Sequence, residues 1–186
     1  MTEKLKNFET IGCCGIDCGL CPRFYTSGDS VCPGCGGFNF KEKHPSCGFI
    51  TCCVIKRGLE VCSDCQDYPC KRFDAEKNGF DSFVSHKKVF VNLDDIKSYG
   101  IGQFIKAQKE RIEILEDLLT NFDDGRAKSF YCLSCALLPV DKLLEVQSFA
   151  HNLCETAPTK DKTKLLRNQL TEHATSLEIE LKLNNK

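Results

Sequence analysis

The chain has 186 residues, of which 41% are hydrophobic and 27% charged, the balance of a soluble globular protein of one domain or two small ones. A net charge of -1 argues against a large electrostatic footprint for nucleic acid or anionic lipid. No apolar run reaches the roughly 18–20 residues that a membrane helix needs, and the opening MTEKLKNFET lacks the apolar stretch of an export signal, so a cytoplasmic protein is expected.

Fifteen cysteines depart from that ordinary composition. In a short secreted chain this density would read as a disulfide scaffold, but the cytosol keeps thiols reduced, and an odd count excludes complete internal pairing. A reduced, cysteine-dense segment points to metal. Twelve of the cysteines fall between Cys13 and Cys70; only Cys132, Cys135 and Cys154 lie beyond. This divides the chain into a cysteine-rich segment, 1–73, and a helical region, 74–186. The expected fold class is α+β, mostly α: an irregular N-terminal segment of metal knuckles packed on a helical part that ends in a short strand. The first segment has few large apolar residues besides cysteine, so metal is expected to organise it in place of a core.

In chain order, CGIDCGLCP comes first, with Cys14, Cys18 and Cys21. Its C-x3-C-x2-C spacing is also that of an iron–sulfur site, although the order of spacings is not a ferredoxin's. CPGCGG follows, with Cys32 and Cys35, and reads as a zinc knuckle in which Gly36 permits a positive φ. Cys47, Cys52 and Cys53 come next, then the pair Cys62 and Cys65, then Cys70. Two four-cysteine sites are the simplest partition: Cys18, Cys21, Cys32 and Cys35 in one, and Cys47, Cys62, Cys65 and Cys70 in the other. Cys14 and one of Cys52 or Cys53 are left over, so a different partition or shared thiolates remain open. Three sites are numerically possible, but the adjacent pairs Cys13-Cys14 and Cys52-Cys53 would strain a common site, and Cys13 ranks last as a ligand. The cofactor expected is zinc, two or three ions, with an iron–sulfur cluster as the alternative. His44 and His86 read as loop, capping or packing residues, and Lys56-Arg57 and Lys87-Lys88 as solvated faces.

Beyond Phe73 the apolar spacing becomes helical. Ser85–Tyr99 carries Val89, Phe90, Leu93 and Ile96, with Gly100 as a C-cap. A second helix is expected over Ile101–Phe122, a third over Arg126–Leu138 stopped by Pro139, and a fourth over Asp141–Cys154 with Leu144, Phe149 and Leu153 inward. A fifth is expected to be capped by Thr159 and to carry Leu165, Leu166, Gln169, Leu170 and His173. Cys132 and Cys135 fall at i and i+3 on one apolar face and read as core, with ligation the alternative; Cys154 reads as a buried thiol. Over 177–183, Leu177, Ile179, Leu181 and Leu183 alternate with polar residues, the pattern of a strand.

The groups CGIDCGLCP, CPGCGG and CGFITCCVIKRGLEVCSDCQDYPC resemble a cysteine-rich family, domain of unknown function 3795, whose members are taken to bind zinc. The likeness is close over Cys14–Cys70 and looser through SFVSHKKVFVNLDDIKSYGI and LEIELKL. It implies bacterial or archaeal origin and metal binding, and no activity. This chain has no Trp and only FYCLSC where many relatives carry a Trp and a further cysteine ribbon.

All-cysteine ligand sets make closed zinc sites, so a non-catalytic module that binds a protein partner is favoured over a redox protein or zinc-thiolate enzyme. No motif names the partner or the oligomeric state. Nucleic acid is not expected: residues 1–73 hold nine Lys and Arg against eight Asp and Glu, and each zinc with four thiolates adds a net -2.

Overall fold

The structure, a computed structural model, describes residues 3–74, 80–153 and 155–184. Among them every regular element is helical, so the expected α+β class is corrected to all-α. The segment 177–183 forms no strand. Its burial does alternate, with Ile179, Leu181 and Leu183 half-buried between exposed Glu178, Glu180 and Lys182. A strand also needs a ladder, and the N–H groups at its start are spent elsewhere. Those of Leu177, Glu178 and Ile179 cap the preceding helix, Ile179 donating to the Ala174 carbonyl at 2.8 Å. Glu178 takes a positive φ of 55°, which turns the chain out of the helix.

The chain folds as two compact units, Met1–Gln108 with Leu183–Lys186, and Lys109–Lys182. The change in composition at Phe73 lies inside the first.

In the first unit the cysteine-rich stretch forms only short pieces. Three-residue 3-10 turns cover Cys18–Leu20, Gly28–Ser30 and Cys62–Asp64. Helix α1 is Phe40–Lys43, and helix α2, Gly48–Ile50, runs on into a wider π turn over Thr51–Lys56. A regular core is supplied by helix α3, Val89–Tyr99, which buries Val89, Leu93 and Ile96 against Ile11, Cys13, Ile50, Val61 and Phe73. The Phe73 ring meets Phe49, Tyr68 and Phe90 with centroids 4.9–5.7 Å apart. Helix α3 ends at Gly100, φ 85°, whose N–H donates to the Ile96 carbonyl.

Helix α4, Ile101–Phe122, has the expected bounds. Near its start Gln108 is buried, and its Nε2 donates to the Thr10 carbonyl at 3.0 Å and to Asp17 Oδ1 at 2.9 Å. From α3, Asn92 Nδ2 donates to Asp17 Oδ2 at 2.8 Å and to the Gly15 carbonyl at 2.9 Å. Two amides therefore hold the buried Asp17 carboxylate, which lies one residue before Cys18, and tie the first cysteine loop to the helices.

The second unit holds α5, Lys128–Leu137, α6, Val140–His151, and α7, Thr159–Ser176. Arg111 Nη1 donates to the carbonyls of Cys135 and Leu138 at 2.7 and 2.6 Å, closing the C-terminal end of α5. The apolar face of α6 is rotated from that expected, while α7 turns Leu166 and Leu170 inward as expected. Helix α6 buries Leu143, Val146 and Ala150, with Leu144 exposed; α7 buries Thr163, Leu166, Leu170 and Ala174, with Leu165 exposed. Thr159 is the first helical residue of α7, not its cap; the cap position is Pro158.

Candidate metal centre

The two C-x2-C pairs at Cys18 and Cys62 are wound as 3-10 turns. In each, the N–H of the second cysteine donates to the carbonyl of the first, at 3.2 Å for Cys21 and 3.0 Å for Cys65. The CPGCGG segment is held differently. The Cys35 N–H donates to the Glu9 carbonyl at 2.8 Å, and the Leu5 N–H to the Gly36 carbonyl at 2.7 Å, so residues 5–9 clamp the knuckle. Gly34 has φ 76°, and a Cβ there would stand 2.4 Å from the Glu9 oxygen, so the position admits only glycine.

Cys13 lies where these pieces meet. Its carbonyl accepts from the Cys62 N–H at 2.7 Å, and its own N–H donates to Cys35 Sγ at 3.3 Å. The Sγ atoms of Cys13, Cys53 and Cys62 lie within 4.8 Å of one another, and all three residues are buried. Cys35 Sγ, which accepts the Cys13 N–H, stands beside this group. Four sulfurs placed about 2.3 Å from one zinc stand roughly 3.8 Å apart, so this group has the size and donor chemistry to hold a metal ion. Among the described residues no other three His, Cys, Asp or Glu ligand atoms converge as closely.

The electrostatics divide these thiols: Cys35 and Cys53 are held below the ordinary thiol value, and Cys13 and Cys62 above it. Hydrogen bonding to Cys35, Cys53 and Cys62 pushes the Cys13 thiol up, and the same bonds from Cys13 hold Cys35 and Cys53 below the ordinary thiol value. Lys6 lowers both further. That lysine is only 5% exposed, and its Nζ donates to the Ile11 carbonyl at 2.7 Å.

Two cavities flank the group. One, of about 280 Å³, is lined by Cys14, Cys18, Cys21, Cys32, Cys35 and Cys47. The other, of about 420 Å³, is lined by Cys52, Cys53, Cys62, Cys65 and Cys70. All eleven cysteines expected as ligands thus face one cavity or the other, and Cys13 lines neither. Cys47 shares a cavity with Cys18, Cys21, Cys32 and Cys35, so the structure does not bring it together with Cys62, Cys65 and Cys70. In the first cavity burial pushes up the thiols of Cys18 and Cys21. In the second, Arg57 Nη1 donates to Cys65 Sγ at 2.9 Å while Nη2 pairs with Asp67 at 2.6 Å. Arg57 is therefore a partner of a candidate ligand and not the plain solvated face that its sequence context predicts.

His44 stacks on Phe40 and lines the first cavity, as does His86, whose Nε2 is 3.0 Å from the Ser82 hydroxyl. Cys132 and Cys135 are buried core residues of α5, and burial pushes the Cys135 thiol up to about 12. Cys154 lies outside the described residues. None of the fourteen described cysteines is in a disulfide. The sequence reading passed over Cys13, Lys6 and Asp17. For Cys13 the signal was present, because neighbouring residues direct their side chains apart and an adjacent pair can serve two places at once.

No helix among the described residues is long and apolar enough to cross a membrane. Comparison with protein-family models, with curated proteins and with solved structures finds no match.

Proposed function

We propose that the chain is a zinc-binding, non-catalytic protein-interaction module of the cysteine-rich family that residues 14–70 resemble. The observation that carries this reading is the convergence of Cys13, Cys53 and Cys62, with Cys35 Sγ accepting from the Cys13 N–H. The donor set is all sulfur, and a zinc held by four cysteines keeps no open position for a substrate. Metal here substitutes for a core that the segment cannot build from its own apolar residues. Phe38 and Phe83, each 61% exposed, and exposed Ile55 supply apolar contact surface for a partner around the cysteine-rich stretch. Metal analysis of anaerobically purified protein tests the reading: a colourless protein with two or three zinc ions is expected.

A second reading, an iron–sulfur redox protein, draws on the first cavity. Its six cysteines line a space of about 280 Å³ and include the C-x3-C-x2-C run of Cys14, Cys18 and Cys21. Brown protein absorbing near about 400 nm, with stoichiometric iron and sulfide, would decide for it.

A further inference from the structure

We infer that the second cavity and the central group form one two-metal cluster of seven cysteines, in which Cys53 or Cys62 bridges the two ions. This rests on the metal–thiolate reading above and adds to it the arrangement of the ligands.

The inference follows from which sulfurs face where. The central set is Cys13, Cys53 and Cys62, whose sulfurs converge, with Cys35 as the fourth member because its Sγ accepts from the Cys13 N–H at 3.3 Å. Two of its members, Cys53 and Cys62, also line the second cavity, whose other cysteines are Cys52, Cys65 and Cys70. Three thiolates are one short of the tetrahedral set of a structural zinc. The cavity holds no histidine, and its one lining carboxylate, Asp67, is paired with Arg57. The fourth ligand is then a sulfur that the central site already uses. Thiolate sulfur has the lone pairs to bind two metals at once, and the wall between the two positions is made of these sulfurs. The adjacent pair Cys52-Cys53 is thereby accommodated, with both thiols serving one assembly.

Charge supports the same grouping. Seven thiolates and two dications carry a net -3, which needs nearby cations in so buried a place. Arg57 bonds Cys65 from the cavity side. Lys71 and Arg72 also line the cavity. The remaining five cysteines of the cysteine-rich stretch, Cys14, Cys18, Cys21, Cys32 and Cys47, all face the other cavity and furnish a separate four-thiolate site without sharing.

Reconstitution of the full-length, metal-stripped chain with cadmium-113 tests this, since that nucleus reports a sulfur bridge as a metal–metal scalar coupling. Three resonances are expected, two of them split by each other and one unsplit, with three metals per chain by native mass spectrometry. Cys70→Ser removes a ligand from the cavity end only; one metal should be lost, the splitting should vanish, and two single resonances should remain. Cys13→Ser should remove the central resonance, and the Cys70 variant keeps the test decisive if the Cys13 variant fails to fold. Three unsplit resonances in the unaltered chain, or a cavity metal bound by three cysteines and water, overturn the bridge and leave the zinc reading standing. Failure to bind cadmium or zinc overturns both, as does iron and sulfide bound by the seven cysteines.

Discussion

The main-chain N–H of Cys13 donates to the sulfur of Cys35 at 3.3 Å, across 22 residues of sequence. The bond joins the first cysteine loop to the CPGCGG knuckle and aims a fixed dipole at the Cys35 sulfur. It places at the centre of the unit a residue that sequence spacing alone sets aside.

Gly15 is the hinge of that arrangement. Its φ is 94°, and a Cβ there would stand 2.5 Å from the Val89 carbonyl oxygen of α3. Gly15→Ala is expected to cost at least about 1–2 kcal/mol from the left-handed backbone alone, and more from the overlap. A lower urea midpoint for the first unit, with looser metal, is the expected result; an unchanged midpoint would show that α3 does not rest on this turn.

Arg57 supports Cys65 from outside the cavity. Partners that hydrogen-bond a metal ligand commonly cost about 10–100-fold in metal affinity when lost. Arg57→Gln should weaken zinc retention within that range in a chelator competition, with little change in far-UV dichroism. Equal affinity for both proteins would return Arg57 to the solvated surface.

How much of this was legible follows from the length and partnering of each pattern. Helix α4 could be read to the residue because its apolar spacing is sustained over 22 positions. The burial pattern alternates over 179–183, but three apolar positions do not distinguish a strand from extended chain that lacks a partner. The orientation of α6 went astray by a residue because the neighbouring Leu143 and Leu144 leave the inward face ambiguous, and in α7 the same ambiguity placed the exposed Leu165 beside the buried Leu166. The eleven candidate ligands were visible as thiols at metal-site spacings. Their grouping was not, because it depends on contacts such as those of Cys13 with Cys35 and Cys62, set by backbone bonds between distant loops.

In the second unit, Asp117 accepts from Asn121 Nδ2 at 2.7 Å and Gln147 Nε2 at 2.6 Å, and pairs with His151 Nε2 at 2.7 Å. Partial burial raises its pKa, but these hydrogen bonds outweigh it and hold the carboxyl below the usual value. A depressed folded pKa gives stability that is present above the unfolded value, about 4, and is lost as pH falls through the folded one. Thermal unfolding of the helical part should therefore show a single-group loss of stability below about pH 4 that Asp117→Asn removes. A variant with the same acid slope as the parent would contradict the assignment.

Metal-filled, the cysteine-rich stretch should not hold nucleic acid. One surplus positive charge over residues 1–73 does not offset dianionic sites. Anisotropy titrations with labelled duplex DNA and single-stranded RNA at about 150 mM salt should show no micromolar binding. Micromolar affinity with a steep salt slope, lost on changing Lys41, Lys43 and Lys56 to Glu, would reveal a basic face that the net count hides.

The claim that metal holds the cysteine-rich stretch of the first unit together is tested most directly by amide hydrogen exchange before and after treatment with a strong chelator. Protection across residues 13–70, including the Cys13, Cys35 and Cys62 amides that bridge the loops, should collapse on chelation while α5, α6 and α7 keep theirs. Unchanged protection over residues 13–70 in protein shown to have lost its metal would contradict the account.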